Sequence, residues 1–247
     1  MKIIISPAKK LTAQSIDISN PTSVCFLDET SYLINELKKL SVKDIQQLMG
    51  LSDNLAQLNH QRYQQWDLQS KLVNPAIFIF QGDVYKGLAA DQLSEDDLSF
   101  AQENLRIISG LYGMLRPFDT VFPYRLEMGT KMKTNEGKNL YEFWGNKLHR
   151  SLSSQMKDDE FVINLASNEY SKALRLDMFK NQVITPVFKE YKDGKLKVVS
   201  IYAKKARGIM SNFIIRNRIS DPGELACFNK DGYVFSSQEN GEMLFCR

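Results

Sequence analysis

A mixed α/β (α+β) fold, one domain over residues 1–247 with a mixed sheet flanked by helices, is what this sequence predicts, and three features carry the prediction. Short β-branched runs alternate with capped helical periods through the first two thirds. Hairpin signals gather in the last third. No Pro/Gly/Ser-rich linker, low-complexity tract or fixed-period repeat divides the chain, and its 43% hydrophobic content suffices for a substantial core.

Lys2–Ile5 reads as a short, centrally placed strand, because three consecutive isoleucines are β-branched and a Ser-Pro pair stops the run. Residues 29–40 set Leu33, Ile34, Leu37 and Leu40 at helical intervals, and Ser41 offers a cap for a second helix containing Asp44, Ile45 and Leu48. Gly50 can take the positive φ of a tight link, and Ser52 can cap a third helix in which Leu55, Ala56, Asn59, Tyr63 and Trp66 recur. This makes a helix, a short hairpin and a helix. "AIFIF" (76–80) and "LRIISG" (105–110) read as strands around a helix starting near Ser94, with Glu95, Asp96 and Asp97 favouring its dipole, in a βαβ-like order. "NLYEFWGNKLHRSLSSQM" reads as one helix with Leu140, Phe143, Trp144, Leu148 and Leu152 as its apolar stripe. "FVINLAS" is a strand and capped turn from which Ser167 starts a helix carrying Glu169, Tyr170 and Lys172. "QVITPVFKEY" and "KLKVVSIYA" flank the hairpin dipeptide Asp193-Gly194, and short strands are expected around "ELACF", "GYVF" and "EMLFC".

Thirty-two basic residues nearly balance 29 acidic ones. No apolar run approaches the roughly 18 residues a membrane span needs. "MKIIISPAKKL" is too short for a secretory leader and has no convincing cleavage site, so a cytoplasmic protein is expected. Cys25, Cys227 and Cys246 lack C-x-x-C spacing, and His60 and His149 are the only histidines. A disulfide framework, a Cys/His metal site or a bound cofactor is therefore not expected, while an all-oxygen magnesium site stays open.

"AKKARGIMSNFIIRNRI" (203–219) holds five basic residues and no acidic one. At about 100° per residue, Lys204, Arg207, Ser211 and Arg218 share an arc of roughly 60°, with Lys205 and Arg216 beside it. Ala206, Ile209, Met210, Phe213 and Ile214 lie opposite, so one face is core and the other is cationic. Such a helix suits a polyanion, because each phosphate it neutralises releases counterions. The alternative is a solvated face, or pairing with acids remote in sequence such as those near Asp96. "MGLSDNL" adds a second hint: in a helix-hairpin-helix, amides at a glycine turn and at the next helix start can approach a phosphate. The same residues also make two core helices joined by a capped turn.

"ISPAKKLT" places Ser6, Lys9 and Lys10 just past the first strand, where α/β proteins often hold anions, but it is no Walker loop. "SGLYGMLRPFDTVFPYRLEMGTK" crowds Tyr112, Arg116, Asp119, Tyr124, Arg125 and Glu127 between glycines and prolines. Its aromatics and arginines suit base stacking and phosphate binding, or equally a rigid loop around buried rings. Glu169 is the best general-base candidate, with helix capping or an ion pair as the alternative.

Six blocks in order, "ISPAKKL", "LMGLSDNLAQLNHQRYQQW", "SGLYGMLRPFDTVFPYRLEMGTK", "NLYEFWG", "VINLASNEY" and "AKKARGIMSNFIIRNRI", resemble the YaaA family of bacterial peroxide stress-response proteins over almost the whole chain. The resemblance implies a single-domain α/β fold with a positively charged cleft and a helix-hairpin-helix. It also implies duplex or branched DNA binding during oxidative stress and an association with limiting free iron. No established catalytic activity comes with it. Residues 48–56 carry over as the hairpin, and Lys204, Lys205 and Arg207 as the basic helix.

The leading expectation is a cytoplasmic protein that binds DNA with weak sequence preference. Its phosphate contacts would come from Lys9, Lys10, Gly50, Ser52, Arg116, Arg125, Lys204, Lys205, Arg207, Arg216 and Arg218. The alternative is an enzyme acting on a nucleotide or nucleobase, with Ser6, Lys9, Tyr112, Arg116, Glu169 and Arg207 around one cleft. Direct iron sequestration, a third class, has little chemical support in two distant histidines and scattered cysteines.

Overall fold

Beginning with β1 (Lys2–Ile5), the chain buries Ile3, Ile4 and Ile5 completely, as a strand covered on both faces requires. The computed structural model describes residues 1–12, 18, 20–67, 74–179, 182–192 and 194–247. After β1 come β2 (Lys10–Leu11), α1 (Leu27–Lys38), α2 (Val42–Met49), α3 (Asp53–Gln64), α4 (Ala76–Ile79), β3 (Phe80–Gln81) and α5 (Asp83–Leu88). The middle of the chain holds α6 (Glu95–Asn104), β4 (Leu105–Ser109), β5 (Gly113–Leu115), α7 (Leu140–Trp144), α8 (Lys147–Ser153), β6 (Val162–Leu165) and α9 (Asn168–Ser171). It ends with β7 (Val183–Lys192), β8 (Lys195–Lys197), α10 (Ser200–Arg216), β9 (Val234–Glu239) and β10 (Glu242–Cys246).

The main sheet runs β5-β4-β1-β6-β7-β10-β9, with β8 paired to β7. Its five inner strands, β4, β1, β6, β7 and β10, are mutually parallel, while β5, β8 and β9 pair antiparallel. The sheet is therefore mixed, as expected, and β1 is interior to it. One contiguous cluster of buried side chains runs from Met1 to Phe245. Among the described residues no helix is long and apolar enough to cross a membrane.

Local chemistry explains the helix starts. Ser41 and Asp44 form a reciprocal capping box at α2, and Ser94 and Asp97 form one at α6. Gly50 ends α2 at φ 60, the left-handed conformation expected of it, and Ser52 occupies the N-cap of α3 without a side-chain cap bond.

Four readings are corrected. "AIFIF" is helix α4 followed by β3, and β3 pairs with β2 in a separate two-stranded sheet, so β3, α6 and β4 do not form a βαβ unit. Loop carbonyls decide this: the Ala76 and Ile77 amides donate to Asp119 O and Pro117 O, at 2.9 and 3.0 Å. The helix predicted around residues 139–156 is two, because Gly145 breaks it with φ 46 and ψ −119. "KLKVVSIYA" stops being strand at Lys197, since Ala203, Ala206, Met210 and Ile214 bury as one helical stripe from Ser200 onward. "ELACF" falls in a 3₁₀ turn, Pro222–Cys227, capped by Asp221 on Gly223 N at 2.9 Å. Of the hairpin dipeptide, Asp193 lies outside the described residues, while Gly194 has φ 72 and Lys192 pairs with Lys195.

Candidate functional site

The parallel neighbours β1 and β6 end side by side, and β1 has β4 on its other side, so the sheet reverses its winding at this edge. Ligand sites of open α/β sheets sit at such edges. Ser6 follows β1 and Ser167 follows β6, and the Ser6 hydroxyl accepts from Ser167 N–H at 2.9 Å. The Ser6 carbonyl accepts from the Tyr85 hydroxyl at 3.1 Å, which ties α5 to the same edge. Glu169, at the start of α9, accepts from Gly129 N–H at 2.9 Å and thereby anchors the loop beyond Met128.

Above this floor, α10 crosses α5 at unusually close range. A Cβ on Gly208 would lie 1.8 Å from Val84 O, and one on Gly87 would lie 2.2 Å from Lys205 O, so only glycine fits at the crossing. The crossing brings Lys204 and Arg207 of α10 over the Ser6 edge.

The result is a cavity of about 360 Å³ lined by Ser6, Lys9, Lys10, Tyr124, Arg125, Glu127, Ser167, Glu169, Tyr170, Lys204 and Arg207, with Gln81, Gly82, Asp83, Val84 and Tyr85 along one wall. Tyr85, Tyr124 and Tyr170 are buried. Burial pushes all three phenols above the ordinary tyrosine value, so they stay neutral at physiological pH. Tyr124 is fixed by a 2.5 Å hydrogen bond with the Ser109 hydroxyl.

The cations around the cavity divide sharply. Glu127 holds Lys9 at 2.7 Å and Arg125 at 3.0 Å. Lys10, Lys204 and Arg207 have no hydrogen-bond or ion-pair partner for their side chains among the described residues. Arg207 is partly buried, and loss of solvent alone lowers its pKa, with no neighbouring carboxylate acting the other way.

A family model described as peroxide stress protein YaaA matches residues 1–239. The chain belongs to the peroxide stress protein YaaA family. A UPF0246 protein of Saccharophagus degradans is 46% identical over 254 aligned positions, covering 100% of this chain and 99% of that relative.

Within this YaaA-family chain, the cavity gathers Ser6, Lys9, Lys10, Arg125, Glu169, Lys204 and Arg207 from the residues singled out in the sequence. Tyr112 and Arg116 do not line it. The Tyr112 hydroxyl is buried and accepts from Trp66 Nε1 at 3.1 Å and Phe122 N–H at 3.0 Å, and burial pushes its pKa up to about 12 despite the Trp66 bond. Arg116 donates to the fully buried carboxylate of Asp119 at 2.9 Å and to Ser23 O at 2.9 Å. Gly50 and Ser52 are also outside the cavity, and the amides of Gly50 and Leu51 are both spent on Gln46 O.

The uncompensated basic face is corrected as well. Lys205 meets Asp231 at 3.2 Å, and Arg218, at φ 53 beyond the helix end, meets Asp97 at 2.5 Å. Arg216 donates to Gln92 O at 2.6 Å, and Ser211 is fully buried, donating to Arg207 O at 2.9 Å. Remote acids thus neutralise Lys205 and Arg218, a backbone carbonyl orients Arg216, and the cations of this segment without any side-chain partner among the described residues narrow to Lys204 and Arg207. The sequence reading missed the wall from Gln81 to Tyr85. The signal for it was the pair of glycines, Gly87 and Gly208, inside otherwise good helical patterns.

Proposed function

We propose that this chain serves the peroxide-stress response as a cytoplasmic DNA-binding protein that meets the sugar-phosphate chain at the cavity, through Lys10, Lys204 and Arg207, with weak sequence preference. The observation that carries the reading is Arg207, a partly buried guanidinium without a counter-ion beside a cavity of about 360 Å³. A cation partly withdrawn from water is costly to hold alone, and a phosphate would accept two of its donors at once. The volume lies in the range of about 300–1,000 Å³ typical of small-ligand sites. One nucleotide unit fits this description, with the neutral tyrosines as its wall. Binding is therefore local, at one unit of the strand, rather than along a cationic stripe. Free thiols at Cys25, Cys227 and Cys246 suit a reducing compartment. The association with limiting free iron is read as indirect: among the described residues, no three His, Cys, Asp or Glu side chains group so as to hold a metal ion.

Fluorescence anisotropy over a salt series, with labelled duplex, single-stranded and junction DNA, tests the reading. The K204A/R207M double variant should bind more weakly, and its salt slope should fall by about 0.9 for each duplex phosphate that it no longer neutralises. Wild-type affinity in a folded double variant would remove the reading.

A second reading is favoured by the convergence of Ser6, Glu169 and Arg207 on the same cavity. In it the protein is an enzyme acting on a nucleotide or nucleobase, with Glu169 as general base. Incubation with nucleotides and nucleobases, followed by mass spectrometry, decides it. Product formation that disappears in E169Q supports an enzyme, and unchanged substrates throughout exclude this reading.

A further inference from the structure

Glu169 lines two depressions at once. Beside the cavity just described, a shallower groove is bounded by Tyr141, Glu169, Lys172, Arg175 and Asp177. Tyr141, Lys172, Arg175 and Asp177 continue along it toward the break between α7 and α8 at Gly145. The cavity and the groove thus lie on either side of Glu169, the lining residue they share.

The groove has its own cations. Lys172 is exposed, and its side chain has no hydrogen bond or ion pair among the described residues. Arg175 closes the turn Lys172–Leu174 in the left-handed region, at φ 50, where a non-glycine side chain is strained. Such strain concentrates at ligand clamps. The Arg175 guanidinium donates to Asn146 Oδ1 at 2.8 Å and has no carboxylate partner among the described residues. That single neutral bond orients the fork without neutralising it.

The order of charge from cavity to groove is Lys204 and Arg207, then the Glu169 carboxylate, then Lys172 and Arg175, with the exposed carboxylate of Asp177 at the rim beside them. A phosphate is repelled at the middle position and attracted at both ends. A base edge or a sugar hydroxyl, which can donate to a carboxylate, suits the middle. This alternation matches a nucleic-acid strand and not a polyanion of continuous charge. Resting on the reading of the cavity given above, we infer that Lys172 and Arg175 form a second phosphate subsite, so that the ligand is a single-stranded segment with one unit in the cavity and its neighbour lying across Glu169.

The test compares two probes, deoxythymidine monophosphate and a labelled oligodeoxythymidine of about 12 nucleotides, within the usual size range of single-strand sites. Two double variants are used with each. K172A/R175G removes the subsite, and glycine suits the φ of position 175, so this variant should melt no lower than wild type. It is expected to bind the monophosphate as wild type does and the oligomer more weakly, with a salt slope lower by about 0.7, the value for one single-strand phosphate. An oligomer affinity and slope unchanged in K172A/R175G, together with weaker binding of both probes by K204A/R207M, would overturn the subsite and leave the cavity reading intact. If K204A/R207M binds both probes as wild type does, the cavity reading fails and the subsite falls with it. Tighter binding of a labelled poly-glutamate peptide than of the oligomer would also overturn the inference.

Discussion

Two arginines of the same basic segment, Arg207 on α10 and Arg218 just beyond its end, should respond to substitution in opposite ways. Arg207 has no partner to lose, so R207M, which keeps most of the buried stem, should leave the melting temperature unchanged or slightly higher. Binding should suffer instead. A charge-assisted hydrogen bond contributes about 1.5–3 kcal/mol, which is roughly a 10- to 150-fold loss of affinity at about 1.4 kcal/mol per tenfold. The salt slope should fall by about 0.9 on duplex DNA. Arg218 is the converse, because its guanidinium already sits 2.5 Å from Asp97 with its side chain 41% exposed. R218A should cost about 1 kcal/mol of stability, discounted for that exposure, or about 2–4 °C in melting temperature for a chain of this size. Its DNA affinity should stay within about twofold of wild type, since an occupied cation offers little to a ligand. Thermal melts and salt-titrated anisotropy on both variants read the two axes. If R218A lost affinity while R207M kept it, the division of the basic segment into paired and unpaired charge would be wrong.

Further outcomes follow from the same geometry. G208A forces a methyl into the carbonyl of Val84, and although alanine favours helix by about 1 kcal/mol, the clash should dominate and destabilise by about 3 kcal/mol or more, seen as a lower chemical-denaturation midpoint; an unchanged midpoint would show that α5 and α10 do not pack closely. E127Q releases Lys9 and Arg125 from their shared counter-ion, so phosphate-bearing ligands should bind about 3- to 10-fold more tightly, measured by anisotropy, and weaker binding would contradict this. At Asp97 and Glu160 burial pushes the carboxyl up, but it is outweighed at Asp97 by hydrogen bonds from Arg218 and Ser94, and at Glu160 by those from the N-terminal amine and Lys157, so both lie below the ordinary range. Their stabilisation should be complete above the unfolded value of about 4 and vanish as pH falls through the folded values, and D97N/E160Q should flatten the acid limb of a melting-temperature profile.

What the sequence made legible was chiefly local. Three isoleucines before Ser-Pro marked β1, and Ser41 with Asp44 and Ser94 with Asp97 marked the helix starts, because a capping box is contained in four residues. "AIFIF" was illegible because a short apolar run fits a buried strand and a buried helical turn equally, and distant carbonyls at Pro117 and Asp119 decided between them. The same distinction governs the site. Ser6, Glu169, Lys204 and Arg207 could be found because each follows a strand or lies on a visibly basic helix. The sequence offers the acids near Asp96 as one answer to the basic face, and Asp97 is indeed the partner of Arg218, but it could not choose between that pairing and an open cationic face. Nor does it point to Asp231, the partner of Lys205; the two acids lie 121 and 26 residues away. A helical wheel displays charge, but only the tertiary fold shows which charges are already answered.

The most direct measurement is a crystal structure of the protein with a short DNA oligonucleotide. A phosphate oxygen within about 3 Å of the Arg207 guanidinium, with a nucleotide between Tyr124 and Tyr170, is the predicted result. DNA held instead at the Gly50 turn or along Arg216 and Arg218, with nothing bound over Ser6, would contradict the account.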